Sequence, residues 1–402
     1  MRRSVSIIAG VCAAVTLIGM AGVLAWTRSG DTGRAVGIWH DPLINPVVTP
    51  AEDGRQHVGE VLALDKLLGY GAPDREVFRY PAASYVKLHF SRMVLVAGDY
   101  LTVADATGAE SYRYDGLESG RWAMSVTGDT AVLELHRGTQ PGFKSARIHV
   151  DKVAKGYSRQ DQVTKPTGQL LRPGLTGREE SVCGSDESKD AVCYRSADPV
   201  AYTRSKAIAR LLINGTELCT GWRVGAGNRM ITNNHCFDNS DEAYETEVWF
   251  NYQCAKCGGY EVFRPTKVWG EKVITTDHVY DYTLFTVENF DSVRKFGYLT
   301  LDTARPVRGQ ELYVPQHPAG EPTRIAGRLG DRAGTCAVVS NAFDGYTAKS
   351  DVSYNCDTEG GSSGSPVLSR KTDKVVALHH FGGCPNSGVR ADLLYSKLKY
   401  FL

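Results

Sequence analysis

The stretch Asp357-Thr358-Glu359-Gly360-Gly361-Ser362-Ser363-Gly364-Ser365-Pro366 puts a serine on a glycine-lined turn shortly after Cys356. Glycine tolerates the positive φ values such a turn needs, and it leaves bare backbone N–H groups beside the serine oxygen. A flexible Gly/Ser linker has the same composition, but a linker is not bracketed by a cysteine and the apolar pair Val367-Leu368. The chemistry open to such a serine is acyl transfer, which needs a base, a carboxylate to orient the base, and donors for an oxyanion. His235 follows the apolar run Met230-Ile231-Thr232 and precedes Cys236; a bridge from Cys236 to Cys219 would pin its loop. Asp281 stands immediately before Tyr282-Thr283-Leu284-Phe285, where a carboxylate at the head of a buried strand can reach back to an imidazole. The three groups come in the order His, Asp, Ser.

The elements around them read as short strands. Ala207-Ile208-Ala209, Leu211-Leu212-Ile213, Thr220 to Val224, Val248-Trp249-Phe250, Tyr282 to Val287, Leu312-Tyr313-Val314 and Val375 to Leu378 are apolar runs of strand length. Only the end of the chain has a helical period, with Leu394, Leu398 and Phe401 on one face. Many strands ending in one helix predict paired β-barrels. Upstream, Val86-Lys87-Leu88-His89-Phe90, Leu101-Thr102-Val103 and the alternating Ala131, Leu133 and Leu135 predict half-buried strands, separated by turns such as Gly98-Asp99 and Gly128-Asp129. Strands at that spacing predict a β-sandwich. His89 and His136 lie in these strands and read as polar-face residues, since neither has a second ligand at i+2.

Length, charge and cysteines set the frame. A chain of 402 residues accommodates two domains, and a net charge of +1 with 23% charged residues gives no argument for a nucleic-acid or anionic-membrane partner. After Met1-Arg2-Arg3 an uncharged run extends from Ser4 to Trp26, which reads as an export signal or, at that length, a signal anchor. Of ten cysteines, Cys12 lies in this run; the others all fall at or after position 183, and in an exported chain they predict disulfides with one thiol left over. The predicted organisation is a leader over 1–26, a β-sandwich over 37–157, a polar linker or activation segment over 158–182, and a second domain over 183–402. Cys254 and Cys257 could instead form half of a metal or redox site, but no second Cys-x-x-Cys or His pair accompanies them. His317-Pro318-Ala319-Gly320 reads as a structural loop.

Cys219-Thr220-Gly221-Trp222, the Ile231 to Cys236 run, Asp281-Tyr282-Thr283-Leu284 and Gly361 to Pro366, taken together and in order, resemble a trypsin-like (chymotrypsin-fold) serine protease of the bacterial kind, near the lysyl and glutamyl endopeptidases. The resemblance spans about residues 183 to 402. It implies a mainly β protein in which a jelly-roll-like sandwich precedes a double β-barrel with a C-terminal helix. It further implies Ser363 as nucleophile, His235 as base, Asp281 as its orienting carboxylate, and the N–H groups of Gly361 and Ser363 as the oxyanion hole. Animal trypsins carry an Asp immediately before the nucleophile; Ser362 stands there in this chain, so activation by a buried ammonium is not expected. The same comparison implies disulfides Cys183–Cys384, Cys219–Cys236 and Cys336–Cys356, with Cys193 bonded to Cys254 or Cys257. The sandwich more loosely resembles a CUB domain, in Gly98 to Val103 and Gly142 to Ala146.

The pocket is read from the same family. Asp357 occupies the place of the trypsin pocket-floor carboxylate, which implies cleavage after Arg or Lys. His379, His380 and Gly382, in His379-His380-Phe381-Gly382-Gly383, resemble the pocket wall of glutamyl endopeptidases, a competing preference. The expected protein is a secreted monomer acting on protein or peptide substrates, with no metal or other cofactor; the alternative is an inactive homologue that binds partners through its sandwich.

Overall fold

The computed structural model describes residues 55–69, 72–138, 147–158, 182–327, 329 and 335–402. The leader over 1–26, the Gly142 to Ala146 strand and nearly all of the 158–182 segment lie outside the described residues.

Two antiparallel sheets form the N-terminal sandwich. In the strand Thr130–His136, Ala131, Leu133 and Leu135 are buried while the residues between them are half-exposed, as the two-residue period requires. This strand pairs with Arg75–Arg79 on one side and Tyr100–Asp105 on the other. The facing sheet is built from Gly59–Gly69, Arg147–Gly156 and Tyr85–Val94. Leu88, Phe90, Val103, Leu133 and Ile148 share the core between the sheets.

One strand departs from the sequence pattern. Tyr85–Val94 is predicted to be half-buried, yet it is buried on both faces from Tyr85 to Phe90. Its outer face packs on the first barrel, and Lys87 on that face is fully buried, with Nζ 2.8 Å from Glu247. Glu247 also accepts from the Ser125 N–H, the Ser125 hydroxyl and the Trp249 indole N–H. Lys267 lies 2.6 Å from Glu110 and over the Trp249 ring. Burial alone would raise the Glu247 carboxyl, but the Lys87 and Lys267 ammonium groups outweigh it and hold the group below the usual range. Val58 and Tyr85 join Leu212, Leu218 and Trp249 in an apolar cluster beside this network. A chain cut only in the 158–182 segment is expected to keep the sandwich docked, because separation would strip buried charges of their partners; co-migration of both pieces on size exclusion after limited proteolysis checks this.

Residues 208–287 form a closed barrel. Its strands are Ile208–Ile213, Glu217–Arg223, Met230–Thr232, Glu247–Phe250, Thr266–Asp277 and Tyr282–Val287, and closure comes from Met230–Thr232 pairing with both Glu217–Arg223 and Tyr282–Val287. The second sheet runs through Leu312–Gln316, Pro366–Ser369, Val375–Phe381, Asn386–Arg390, Asp351–Tyr354 and Val338–Phe343. A bridge between Glu311 and Ala337 brings the start of Leu312–Gln316 against the start of Val338–Phe343. The fold is mainly β, as the strand pattern predicts.

Helices are where prediction and structure differ. The C-terminal helix is Ala391–Leu398; Leu394 and Leu398 are buried, but Phe401 lies past its end and is exposed. A further helix, Pro199–Ser205, precedes the first barrel. Its signals are local ones: Pro199 opens it, and the Asp198 side chain accepts the Ala201 N–H at 3.1 Å.

Candidate active site

His235 and Asp281 are carried on adjoining strand ends of the first barrel. Met230–Thr232 delivers Asn233, Asn234 and His235, while the Cys219–Cys236 disulfide ties the loop back to Glu217–Arg223. Asp281 takes a φ of 41° just before the Tyr282–Val287 strand, a left-handed conformation uncommon for a non-glycine residue. The Asn233 amide holds the Asp281 carbonyl at 2.8 Å. The carboxylate turns back onto the histidine: Oδ1 accepts the His235 backbone N–H at 3.0 Å, and Oδ2 lies 2.8 Å from Nδ1. A carboxylate only accepts, so Nδ1 carries a proton, and in the neutral ring Nε2 is then the atom that presents a lone pair. Nε2 is buried and has no hydrogen-bond partner among the described residues. Burial would raise the Asp281 carboxyl, but His235 and His380 outweigh it and hold the group well below the usual carboxylate range.

The glycine-lined turn is fastened to the same barrel. The Thr220 N–H donates to the Ser363 carbonyl at 2.8 Å and the Thr220 hydroxyl to the Gly361 carbonyl at 2.9 Å. Thr220 adjoins Cys219, whose disulfide partner adjoins His235, so these bonds bring the serine turn against the histidine loop. Gly361 and Gly364 have φ of 94° and 86°. A Cβ added at Gly364 would lie 2.1 Å from the Thr220 carbonyl oxygen, so only glycine lets the turn approach this closely. Ser362, at the site of the trypsin aspartate, is buried and accepts the Glu359 N–H at 3.3 Å.

The pocket residues divide. His380 Nδ1 lies 3.0 Å from Asp281 Oδ2, and its Nε2 lies 2.7 Å from Asp351 Oδ2. With a carboxylate at each nitrogen, both nitrogens donate and the ring is an imidazolium. Its burial works against the charge, but Asp351 and Asp281 push it up to about 9. His380 therefore lies behind Asp281, with both ring nitrogens committed to carboxylates. His379 is buried, 2.7 Å from the Tyr354 hydroxyl, and burial pushes it down to about 3. Asp357 accepts the backbone N–H groups of Cys183 and Glu187 at 3.1 and 3.0 Å, and burial raises its carboxyl. Gly382 is buried at the end of the Val375–Phe381 strand.

The described cysteines form Cys183–Cys384, Cys193–Cys257, Cys219–Cys236 and Cys336–Cys356; Cys254 is buried outside these bonds. The donor atoms of Cys219, His235 and Cys236 lie within 4.8 Å of one another, but both sulfurs are spent in a disulfide, so this cluster does not suit a metal. Asp351 escapes sequence reasoning, since an aspartate opening a strand carries no signal of the histidine it will meet.

The His380 charge predicts a pH dependence. The groups facing its ring are Asp281 and Asp351, with neutral His379 beside it and His235 across Asp281. A raised pKa means the interaction is complete below the ordinary histidine value near 6.5 and is lost as pH rises through about 9. The kcat of the wild-type protein is expected to decline through that range, and His380→Gln is expected to remove this limb. An unchanged limb in the variant would assign it elsewhere.

The fold is that of a trypsin-like peptidase domain, and a family model for the trypsin-like peptidase domain matches residues 219–378. Beyond that class, the chain belongs to the family of the Secreted RxLR effector protein 73 of Plasmopara viticola, to which it is 34% identical over 334 residues, covering 79% of this chain and 80% of that one. It is also similar to the Uncharacterized protein y4fB of Sinorhizobium fredii, at 29% identity over 201 residues, covering 44% of this chain and 28% of that relative. Among solved structures, a Glu endopeptidase in complex with MPD aligns with a TM-score of 0.40 and 18% identity, over 55% of this chain and 98% of that one.

Proposed function

We propose that the chain is a secreted serine endopeptidase that cleaves peptide bonds through an acyl-enzyme on Ser363. The observation that carries this reading is the His235–Asp281 pair, with Nδ1 bound to the carboxylate and Nε2 without a hydrogen-bond partner among the described residues, on a loop tied through Thr220 to the serine turn. Ser363 Oγ attacks the scissile carbonyl as its proton passes to His235 Nε2. The imidazolium then gives that proton to the departing amine, and a water molecule repeats the sequence to release the acid. Backbone N–H groups of Gly361 and Ser363 hold the oxyanion; one such donor contributes about 3 kcal/mol.

Export is supported by the Ser4 to Trp26 run, by the disulfides and by the name of the Plasmopara viticola relative. The domain boundaries at 37–157 and 183–402, the CUB-like character of the sandwich and the monomeric state belong to the same proposal. The place of Asp357 in the sequence, six residues before Ser363, is what favours Arg or Lys at P1, and the likeness of His379-His380-Phe381-Gly382-Gly383 to a glutamyl endopeptidase pocket wall is what favours Glu. Fluorophosphonate labelling tests the enzyme reading: Ser363 is expected to be the labelled residue, and an unlabelled protein would instead be a binding protein on a protease fold. A peptide library then reads P1 directly, and a preference for Glu or apolar residues would sink the basic-residue reading.

A further inference from the structure

Between the leader and the sandwich, a short strand of the chain lies on the rim of the candidate cleft. Gln56–His57 pairs antiparallel with the edge of the first barrel, Gln56 opposite Leu218 and His57 opposite Glu217, and the Val58 N–H continues the ladder to the Thr216 carbonyl at 2.9 Å. This edge borders the nucleophile turn. A Cβ added at Gly361 would meet Leu218 Cδ2 at 2.5 Å, and one added at Gly360 would meet Gln56 Oε1 at 2.0 Å, so the Gln56 side chain lies against the loop that carries the oxyanion donors.

Arg55 clamps the strand in place. Its guanidinium, 2% exposed, donates to Glu217 at 2.7 Å, to Glu242 at 2.9 Å and to the His235 backbone carbonyl at 3.3 Å. A charge buried this deeply between two carboxylates is costly to pull away, since its partners would be left unpaired.

The side of the cleft follows from the chemistry. A leaving amine takes its proton from His235, so it departs on the side bounded by the histidine loop and by Cys219, the disulfide partner of Cys236. Arg55 and Leu218 lie on that side. A peptide extended beyond the scissile bond would bind this open edge by adding a strand to it, but Gln56–His57 already fills those ladder positions.

We infer that Gln56–His57, held by Arg55, is a resident occupant of the leaving-group side of the cleft and restricts the enzyme to substrates short on that side. This rests on the peptidase reading. An aryl amide or ester needs only Ser363, His235 and the oxyanion donors, whereas a peptide with several residues after the scissile bond must first displace the strand.

The test uses the full chain and N-acyl tetrapeptide anilides with basic, acidic and apolar P1 residues, beside the same acyl sequences continued by one to four residues. The expected result is a kcat/KM that falls as residues are added, by about tenfold or more at four. In Arg55→Gln, which loosens the clamp, the ratio of extended-peptide to anilide cleavage is expected to rise by a similar factor. A wild-type series that is flat or rises with length overturns the inference whether or not the variant folds, as does an unchanged ratio in a folded variant. Failure of the peptidase reading looks different: no anilide is cleaved and no fluorophosphonate adduct forms.

Discussion

Replacing Ser363 by alanine is expected to lower kcat for anilide or peptide cleavage on the order of 10⁶-fold and to abolish fluorophosphonate labelling. The size of the effect reflects the loss of the covalent route, since His235 and Asp281 have nothing to activate without the hydroxyl. Stability is expected to change little, because the bond tying this residue to the barrel runs from the Thr220 N–H to the Ser363 carbonyl, which alanine retains. Cys336–Cys356 and Cys219–Cys236 on either side of the cleft do not involve the hydroxyl. Steady-state kinetics with thermal unfolding of both proteins checks the two halves of this expectation. Retained hydrolysis would remove Ser363 from the mechanism, while a large drop in Tm would show that the turn needs the hydroxyl for folding.

Asp281→Asn is expected to cost about 10⁴-fold in kcat. The carboxylate is the acceptor for three donors, the His235 N–H, His235 Nδ1–H and His380 Nδ1–H. An asparagine at this position can present a donor to Nδ1, which moves the imidazole proton to Nε2 and removes the base that Ser363 needs. It also takes away one of the two negative charges on which the buried His380 imidazolium depends. The variant is therefore expected to lose activity and to lower the pH at which His380 gives up its proton, visible in the imidazole ¹⁵N shifts as a function of pH. A variant with near-normal kcat would show that Asp281 is only a structural neighbour of His235.

Much of this site is legible in the chain. Gly361 and Gly364 announce a turn of positive φ, and both adopt one. Apolar runs ending at His235 and starting after Asp281 announce strand termini, where side chains escape the barrel interior. These are local signals, set by sterics and by the alternation of faces along a strand, so a sequence carries them without any knowledge of the fold. The short Pro199–Ser205 helix is of the same kind, with its Asp-Pro cap written in the sequence.

What sequence alone could not supply is every pairing that depends on which faces meet. Lys87 has the spacing of an outward polar residue, and only the docking of the sandwich on the first barrel turns it into half of a buried ion pair. His380 has the neighbours of a pocket residue in sequence, yet the strand order places Asp281 and Asp351 on either side of its ring. Arg55 and Gln56 belong to an unpatterned stretch, and their place on the cleft rim follows from pairing with a strand whose matching residues lie 162 positions away. The sequence by itself determined the mainly β class and the glycine-lined turn that carries Ser363, because those are written in short-range periodicity and backbone sterics. The tertiary structure alone decided which charges are buried together and which strand fills the cleft edge, because burial and strand register arise from long-range packing that no local window of residues encodes.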